Sequence, residues 1–315
     1  MRSALAKAVV ALLAFGAASA MGQLRLSVPR GDLDFVAAAP SEPQSAMDAA
    51  QREPRVPPAN LGLRNAAVVG GSVLAMAAYG KAKWWDEGFT GTFRTDNEGW
   101  FGQNTSSGGA DKLGHAFFAY AGTRLLTRGF EFIGNGPGQA EKWGFWTTLG
   151  IMTAVEVADG YSRQYRFSPQ DVVMNVVGAG LGYLMERSPE LDRRVDLRLY
   201  YKASANSSFD PGGDYSGQIY LLILKASGFD ALRTHEPLRY LELGFGYGTR
   251  GYESPTSEHR RNVYIGVSLN VSEILRQTVY RGNRERSLAQ KGTEMFFEYI
   301  QVPGTGVAAK HTLSP

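Results

Sequence analysis

Residues 188–202 read SPELDRRVDLRLYYK, and within this stretch the spacing of apolar residues changes from helical to alternating. Val195, Leu197 and Leu199 alternate with Asp196 and Arg198, as expected for a β-strand with one apolar face. The same alternation predicts further strands near residues 216–225, 238–249, 261–271 and 294–302. Five strands are fewer than the roughly eight that close a membrane barrel. The pattern therefore predicts an antiparallel meander whose apolar face packs on helices.

The residues before this change have a helical pattern. Four helices are predicted, at about 61–79, 111–133, 140–160 and 169–187. Ser168 followed by Pro169 is typical of a helix start, because Ser caps free N–H groups and Pro fits the first turn. The whole pattern predicts an α+β protein, in which an N-terminal bundle of about four helices precedes an antiparallel meander of about five strands.

The first helical segment has the only apolar run that approaches the roughly 20 residues of a membrane-spanning helix. Two alternatives follow for residues 61–79. They form a buried helix of the bundle, in which Gly70 and Gly71 let a neighbour approach closely, or they anchor the chain in a membrane. The next loop is rich in aromatic residues, which cap the bundle or meet a lipid headgroup surface. These residues are Trp84, Trp85, Phe89, Phe93, Trp100 and Phe101.

The N-terminal residues have the features of an export signal. Arg2 and Lys7 flank the start of an apolar run, and Ala18-Ser19-Ala20 is a small-residue cleavage site. Residues 1–20 are therefore predicted to be a signal peptide. The predicted order of the remaining regions is a Pro/Ala-rich tether over 21–59, a helical domain over 60–190, an antiparallel β region over 191–303 and a tail over 304–315.

The composition argues against several classes of function. The 315 residues carry a formal net charge of +3 without a dense block of Lys or Arg, which argues against a nucleic-acid partner. The sequence contains no phosphate-binding glycine loop or dinucleotide fingerprint, so no nucleotide is expected. It also contains no cysteine, which excludes disulfides, a thiolate nucleophile, cysteine metal ligands and a lipid-modified cysteine.

Ionisable side chains interrupt the apolar helical segments at three places. On a helix, Asp111 and His115 share a face because they are four residues apart, and Glu156 and Asp159 share one because they are three apart. Burying an unpaired charge costs several kcal/mol, so these groups are expected to meet in one polar cluster. The candidate site residues are His115, Glu156, Asp159 and Asp171, supported by Asp111, Lys112 and Asn175.

The same residue types fit a structural network and a functional site. In the structural interpretation, Asp171 and Asp111 each cap their helix, and His115 is a hydrogen-bonded core histidine. Lys112 is then a solvated first-turn residue or the counter-ion of a buried carboxylate. In the functional interpretation, His115 and the carboxylates bind a divalent cation, or His115 and Glu156 act as a general acid–base pair. No other cofactor is expected. Asp159 opposes the dipole of its helix, and its candidate cationic partners are Lys112, Arg163 and Arg166.

Four short motifs carry a resemblance to a known family: EGWFG at 98–102, GGADKLGH at 108–115, EVADG at 156–160 and FSPQDVVMN at 167–175. They resemble an uncharacterised bacterial envelope family whose members are labelled predicted periplasmic lipoproteins of unknown function. A more distant likeness is to VanZ-like membrane proteins, which share an Asp-Lys…His, Glu and Asp-x-x-x-Asn pattern on successive helices. The resemblance covers roughly 75–185. It implies an envelope location and shared use of the polar positions, but it supplies no reaction, and the lipid-attachment cysteine that the label implies is missing here.

The sequence therefore predicts an exported protein of a Gram-negative type of cell envelope, in the periplasm or at the outer membrane. Its expected role is structural or interactive, and its expected partner is a membrane surface or another envelope protein. The alternative is an envelope hydrolase or transferase that acts on lipid or peptidoglycan-linked substrates through the His/Glu/Asp cluster. A cluster sealed from solvent would favour the structural role, and one that opens into a cleft would favour the enzyme.

Overall fold

The structure, a computed structural model, describes residues 58–204, 209–252, 257–281 and 287–313. The predicted signal peptide and nearly all of the predicted tether lie outside these residues. The helices are α1 Leu61–Lys83, α2 Ala110–Phe132, α3 Pro137–Tyr161, α4 Pro169–Arg187, α5 Pro189–Arg194, α6 Asp230–Arg233, α7 Val271–Gln277 and α8 Leu288–Tyr299. The strands are β1 Val195–Tyr201, β2 Gln218–Lys225, β3 Leu241–Arg250, β4 Arg260–Leu269 and β5 Gly306–Thr312. Four long helices thus precede a five-stranded antiparallel sheet, and the predicted α+β class is confirmed.

Helices α2 and α4 pack closely because glycines on α4 leave room for the backbone of α2. A Cβ atom at Gly178 would overlap the carbonyl oxygen of Ala116, and one at Gly182 would lie 2.7 Å from the carbonyl oxygen of Tyr120. The start of α4 follows the predicted pattern, since the Ser168 hydroxyl accepts the N–H of Asp171. This approach brings the polar residues at the start of both helices together.

The helices and the sheet share one core. Phe117 and Tyr120 on α2 pack with Leu199 of β1, Tyr220 of β2 and Tyr299 of α8, and all five are buried. Helix α2 therefore lies between the other helices and the sheet. Helix α5 spans the predicted boundary at residue 190, and β1 follows it without a linker. The helical region and the β region therefore meet in this common core.

The sheet has the strand order β1-β2-β3-β4-β5, with every pair antiparallel. Its register aligns apolar residues across the strands, and Leu222 lies opposite Phe245, which lies opposite Ile265. The part of this face on β1 and the start of β2 is covered by α2 and α8. The prediction that the apolar face packs on the helices is therefore wrong for the rest of the sheet. Its exposed apolar residues are Leu222, Leu243, Phe245, Ile265, Val267, Leu269 and Val307.

The prediction of a strand at residues 294–302 is wrong, because this stretch lies mostly in α8. Ser287 caps that helix by accepting the N–H of Gln290 at 3.1 Å, and Met295 and Tyr299 are four residues apart and so face the core together. The fifth strand is instead β5, within the predicted tail 304–315. It pairs with β4, but all seven of its residues are exposed and most are small or polar, so no apolar alternation marks it.

The expectation that residues 61–79 form a buried bundle helix is also wrong. Only Asn65 and Gly80 are buried in the 23 residues of α1. A Cβ atom at Gly70 or Gly71 would have no neighbour within 4 Å, so these glycines do not mediate close packing. Asn65 holds the start of the helix by a hydrogen bond to Asn135. Among the described residues, α1 is the one helix long and apolar enough to cross a membrane.

Candidate functional site

The predicted polar residues converge where the start of α2 meets the end of α3 and the start of α4. Asp111 and Lys112 lie in the first turn of α2, and His115 lies one turn further. Glu156 is on the last turns of α3, and Asp171 is in the first turn of α4. Each apolar helix therefore contributes its charged end to a common centre, which we call the polar cluster.

Lys112 is the central cation of the polar cluster. Its Nζ lies 2.8 Å from Asp171 Oδ1 and 3.2 Å from Asp111 Oδ2, and it forms a short ion pair with Glu98. The residue is only 2% exposed. Burial alone would lower the pKa of Lys112, but the carboxylates of Asp111 and Asp171 outweigh burial and raise it. The ammonium therefore stays charged and neutralises carboxylates from two helices and a loop.

His115 joins the carboxylates to the amide of Asn175. Its Nδ1 lies 3.1 Å from Asn175 Oδ1 and 3.5 Å from Glu156 Oε1. Its Nε2 lies 3.8 Å from Asp111 Oδ1 and 3.9 Å from Asp171 Oδ1. Burial would lower the pKa of His115, but the surrounding carboxylates, with Asp111 first, raise it. The imidazolium form is thus favoured over a wider pH range than in a free histidine.

Glu156 is the most strongly perturbed acid of the polar cluster. It is 2% exposed, and its Oε2 accepts the N–H of Ser168 at 3.3 Å. Burial raises the pKa of Glu156 to about 8, against the opposing effect of His115. Glu156 is therefore mostly protonated at neutral pH.

Asp159 lies beside the polar cluster and has a different partner from those predicted. Its Oδ1 accepts the indole N–H of Trp85 at 2.6 Å, and burial raises its pKa to about 6. Among the described residues it forms no ion pair, so the predicted partnership with Lys112, Arg163 or Arg166 is wrong. An indole donor can satisfy a half-buried carboxyl group without bringing a second charge out of water.

Two members of the polar cluster were not predicted from the sequence. Glu98 comes from the aromatic loop, and burial raises its pKa despite its ion pair with Lys112. Tyr215 comes from the turn before β2 and donates its hydroxyl to Asp111 Oδ1 at 2.7 Å. Glu98 is the first residue of the EGWFG motif, so the resemblance to the family was a signal for this residue. No spacing pattern connected Tyr215 with the helices.

A second buried ionic network, also missed from the sequence, lies at the other end of α2. Arg124, which is 1% exposed, donates from Nε to Glu186 Oε1 at 2.7 Å and from Nη2 to Asp192 Oδ1 at 2.5 Å. It also forms a short ion pair with Glu298 on α8. This arginine thereby joins α2 to α4, α5 and α8. Buried ion pairs thus connect elements at both ends of α2.

Three residues of the polar cluster are spaced as metal ligands. Asp111, His115 and Asp171 each offer one ligand atom, and these atoms lie within 4.8 Å of one another. The ammonium of Lys112, however, contacts both aspartates at 2.8–3.2 Å. A divalent cation would have to share these carboxylates with a positive charge. The donor types fit a hard cation, but the charge already present at the site does not.

The comparison with known proteins agrees with the resemblance seen in the sequence. Residues 97–187 match the model of a family described as a predicted periplasmic lipoprotein (DUF2279), whose function is unknown. The match covers less than a third of the 315 residues and includes every ionisable residue of the polar cluster from Glu98 to Asp171. The similarity supports an envelope location. No match to a curated protein or to a solved structure was found, and the distant VanZ-like relationship stays a prediction.

Proposed function

We propose that this protein is an exported envelope protein with a structural or interaction role, held at a membrane surface by α1. The observation that carries the proposal is that α1 is apolar enough to cross a membrane and yet is exposed along nearly all of its length. Its 23 residues would span about 35 Å, and a bilayer has a hydrocarbon core of about 30 Å. Exposed apolar side chains on such a helix are stable in contact with lipid.

The end of α1 has the residue types that favour a membrane–water interface. Lys81 and Lys83 lie in its last turn, and Trp84 and Trp85 follow directly. Basic side chains and indole rings both accumulate at headgroup level, and of the two indoles only Trp84 is partly exposed, because Trp85 is buried. The exposed apolar face of the sheet offers a second surface for lipid or for another envelope protein.

The polar cluster has a structural role in this proposal. Its central residues are nearly inaccessible: Lys112 and Glu156 are 2% exposed, Asp171 is 3% and Asn175 is fully buried. The ion pairs of Lys112 join α2, α4 and the aromatic loop, and Glu156 joins α3 to them by accepting the N–H of Ser168, so these contacts fix the register of the helices. The hydrolase or transferase alternative has one supporting observation, because the side chains of Asp111 and His115 remain 17% exposed.

Membrane attachment is tested by placing a charge in the middle of α1. Leu74 is 71% exposed, and an arginine near the centre of a membrane helix costs about 2.5–3.5 kcal/mol. We expect the full chain, expressed in a Gram-negative host, to stay with membranes after alkaline carbonate washing, and Leu74→Arg to lower membrane partition roughly 100-fold. The matched control is Leu288→Arg, at a position that is 88% exposed on α8. Release of the wild-type chain in the soluble fraction, or equal release by the control, would refute the proposal.

The role of the polar cluster is tested by comparing stability with an envelope phenotype. His115→Asn keeps a polar side chain of smaller size but removes the titratable group. The envelope phenotype is the detergent resistance of a deletion strain that is complemented with the wild-type or the variant gene. If the cluster is structural, this resistance should fall only in proportion to the loss of folded protein. Loss of that resistance with an unchanged unfolding midpoint would favour the enzymatic alternative.

A further inference from the structure

An apolar groove runs between α1 and α3. It has a volume of about 480 Å³, which lies within the range of small-molecule sites. Val73 and Met76 of α1 form one wall, and Trp146, Gly150 and Ile151 of α3 form the other. The lining on α3 extends from Trp143 to Ala158, about 22 Å at ~1.5 Å per residue. One leaflet of a bilayer is about 15 Å deep in hydrocarbon, so the groove is long enough for one acyl chain.

The groove ends at Trp85, next to a hairpin-like pairing between the aromatic loop and the end of α3. The Trp85 ring contacts Phe89, with ring centroids 5.6 Å apart. Thr90 N–H donates to the carbonyl of Tyr161 at 2.6 Å, and Arg163 N–H donates to that of Gly88 at 3.1 Å. This pairing fixes the residues around the mouth of the groove.

Three arginines gather on this pairing. Arg94 donates from Nη2 to the carbonyl of Ser162 in a short hydrogen bond, and Arg166 donates to the carbonyl of Tyr165 at 2.8 Å. Desolvation lowers the pKa of the Arg94 guanidinium, and the positive charges of Arg166 and Arg163 lower it further, so both of those groups lie within electrostatic reach of Arg94.

Among the described residues, none of the three arginines forms an ion pair with a carboxylate. Asp86 on the same loop accepts from Gln164 Nε2 at 2.9 Å instead. Arg163 is exposed and Arg94 and Arg166 are partly buried. The charges of Arg163 and Arg166 repel that of Arg94, and all three lie on the pairing beside the apolar groove. An anion at this position would relieve the repulsion, and a phosphate group suits guanidinium donors especially well.

We propose that the groove binds one acyl chain of an anionic phospholipid, whose phosphate contacts Arg94, Arg163 and Arg166. The apolar walls, the aromatic rings at the mouth and the unpaired positive charges follow one another in the order of a lipid's tail, interface and headgroup. The inference rests on the proposed attachment of α1 to a membrane, because that attachment brings the groove into contact with lipid. It adds a preferred lipid class, which attachment through α1 alone does not require.

The test uses the full chain in a non-ionic detergent with brominated phosphatidylglycerol or brominated phosphatidylcholine. Bromine on the acyl chains quenches nearby indoles, and Trp85, Trp143 and Trp146 line the groove. We expect wild-type protein to be quenched at lower concentrations of phosphatidylglycerol. Each basic residue near a phosphate contributes about 1 kcal/mol, so Arg163→Gln with Arg166→Gln should lower affinity for phosphatidylglycerol roughly 30-fold. Binding of phosphatidylcholine, in which choline offsets the charge of the same phosphate, should fall by a smaller factor.

A matched pair of glycine variants tests the groove itself. A Cβ atom at Gly150 or Gly138 of α3 would have open space, but only Gly150 lines the groove. Gly150→Phe should lower the affinity for both lipids, measured by quenching, by about 10-fold or more, because its ring would fill the groove. Gly138→Phe should leave both affinities unchanged. Equal affinity of the wild-type protein for the two lipids, equal behaviour of the two glycine variants, or displacement of phosphatidylglycerol by an equal concentration of inorganic phosphate would overturn the proposal.

The two proposals fail in distinguishable ways. If the wild-type chain is soluble after cell fractionation, membrane attachment fails, and the lipid site fails with it. If the chain stays with membranes and Leu74→Arg releases it, but no preference for phosphatidylglycerol appears, only the lipid site is wrong.

Discussion

Replacing Glu156 with glutamine removes one ionisable group from the centre of the polar cluster and keeps its shape. The side-chain carbonyl of the introduced glutamine can still accept the N–H of Ser168, which Glu156 accepts at 3.3 Å. What changes is the titration. The buried carboxyl group has a pKa of about 8, raised from its ordinary value of 4.5 chiefly by burial. Glutamine has no proton to gain or lose, so its contribution is independent of pH.

The sign follows from the proton that the folded protein holds. Between pH 4.5 and pH 8 the folded state keeps the Glu156 carboxyl protonated, and the unfolded chain releases that proton. The free energy of unfolding therefore falls as the pH rises through this window, by about 1.4 kcal/mol per pH unit. From pH 4 to pH 7 the loss is about 3 kcal/mol. Above pH 8 both states are ionised, and the loss stops growing.

The measurement is denaturant unfolding of wild type and Glu156→Gln at pH 4, 7 and 9, followed by tryptophan fluorescence and far-UV circular dichroism. The free energy of unfolding of the variant minus that of the wild type should rise by about 3 kcal/mol between pH 4 and pH 7. His115 is present in both proteins, so most of its own titration cancels in this difference. Glu87→Gln is the control, because Glu87 is exposed in the aromatic loop. A difference that stays constant with pH, or that falls, would refute the burial of Glu156 in its protonated form.

Three further predictions concern the ion pair of Asp171, the close contact of α2 with α4, and metal binding at the polar cluster. Asp171→Asn removes one of the three carboxylates around Lys112, and because Asp111 and Glu98 remain, we expect the free energy of unfolding to fall by about 1.5–3 kcal/mol in denaturant titrations at pH 7. Gly178→Ala should cost about 2 kcal/mol or more, because its Cβ would overlap the Ala116 carbonyl oxygen, and Gly180→Ala, with open space on the same helix, should be neutral or stabilising by up to about 1 kcal/mol. Millimolar Mg²⁺ or Zn²⁺ should leave the melting temperature unchanged, because Lys112 already contacts two of the three candidate ligands; a rise in melting temperature that a chelator reverses would contradict this.

The polar cluster could be predicted largely from helical spacing. Charged residues in apolar helices must pair, and a spacing of three or four residues puts them on one face. That reasoning placed Asp111 and His115 together and brought Asn175 to them through the glycine stripe of α4. Asp159 is an exception, because its partner is an indole N–H from a loop rather than a cation.

Residues from loops and strands could not be predicted in this way. Tyr215 reaches Asp111 only because β2 packs against α2, which is a tertiary contact with no periodic signal. The same limit explains the error at residues 294–302. Met295 and Tyr299 suit a helix as well as a strand in a short window, and the cap at Ser287 decides in favour of the helix. β5 was missed because all seven of its residues are exposed, so its sequence has no alternation of apolar and polar residues.

The distribution of charge and apolar surface connects the two proposals. Lys112, Arg124 and Arg198 are 1–4% exposed, whereas Leu74 is 71% exposed and Ile265 51%. In water, burying charges gives little net stability and exposing large apolar side chains gives none. Beside a membrane the same arrangement is favourable, because lipid covers the apolar exterior and ion pairs fix the register that apolar packing alone leaves loose. The exterior of α1 should therefore tolerate apolar exchanges such as Leu74→Ile and reject charges, whereas the interior of α2 should tolerate neither the loss of Lys112 nor that of Arg124.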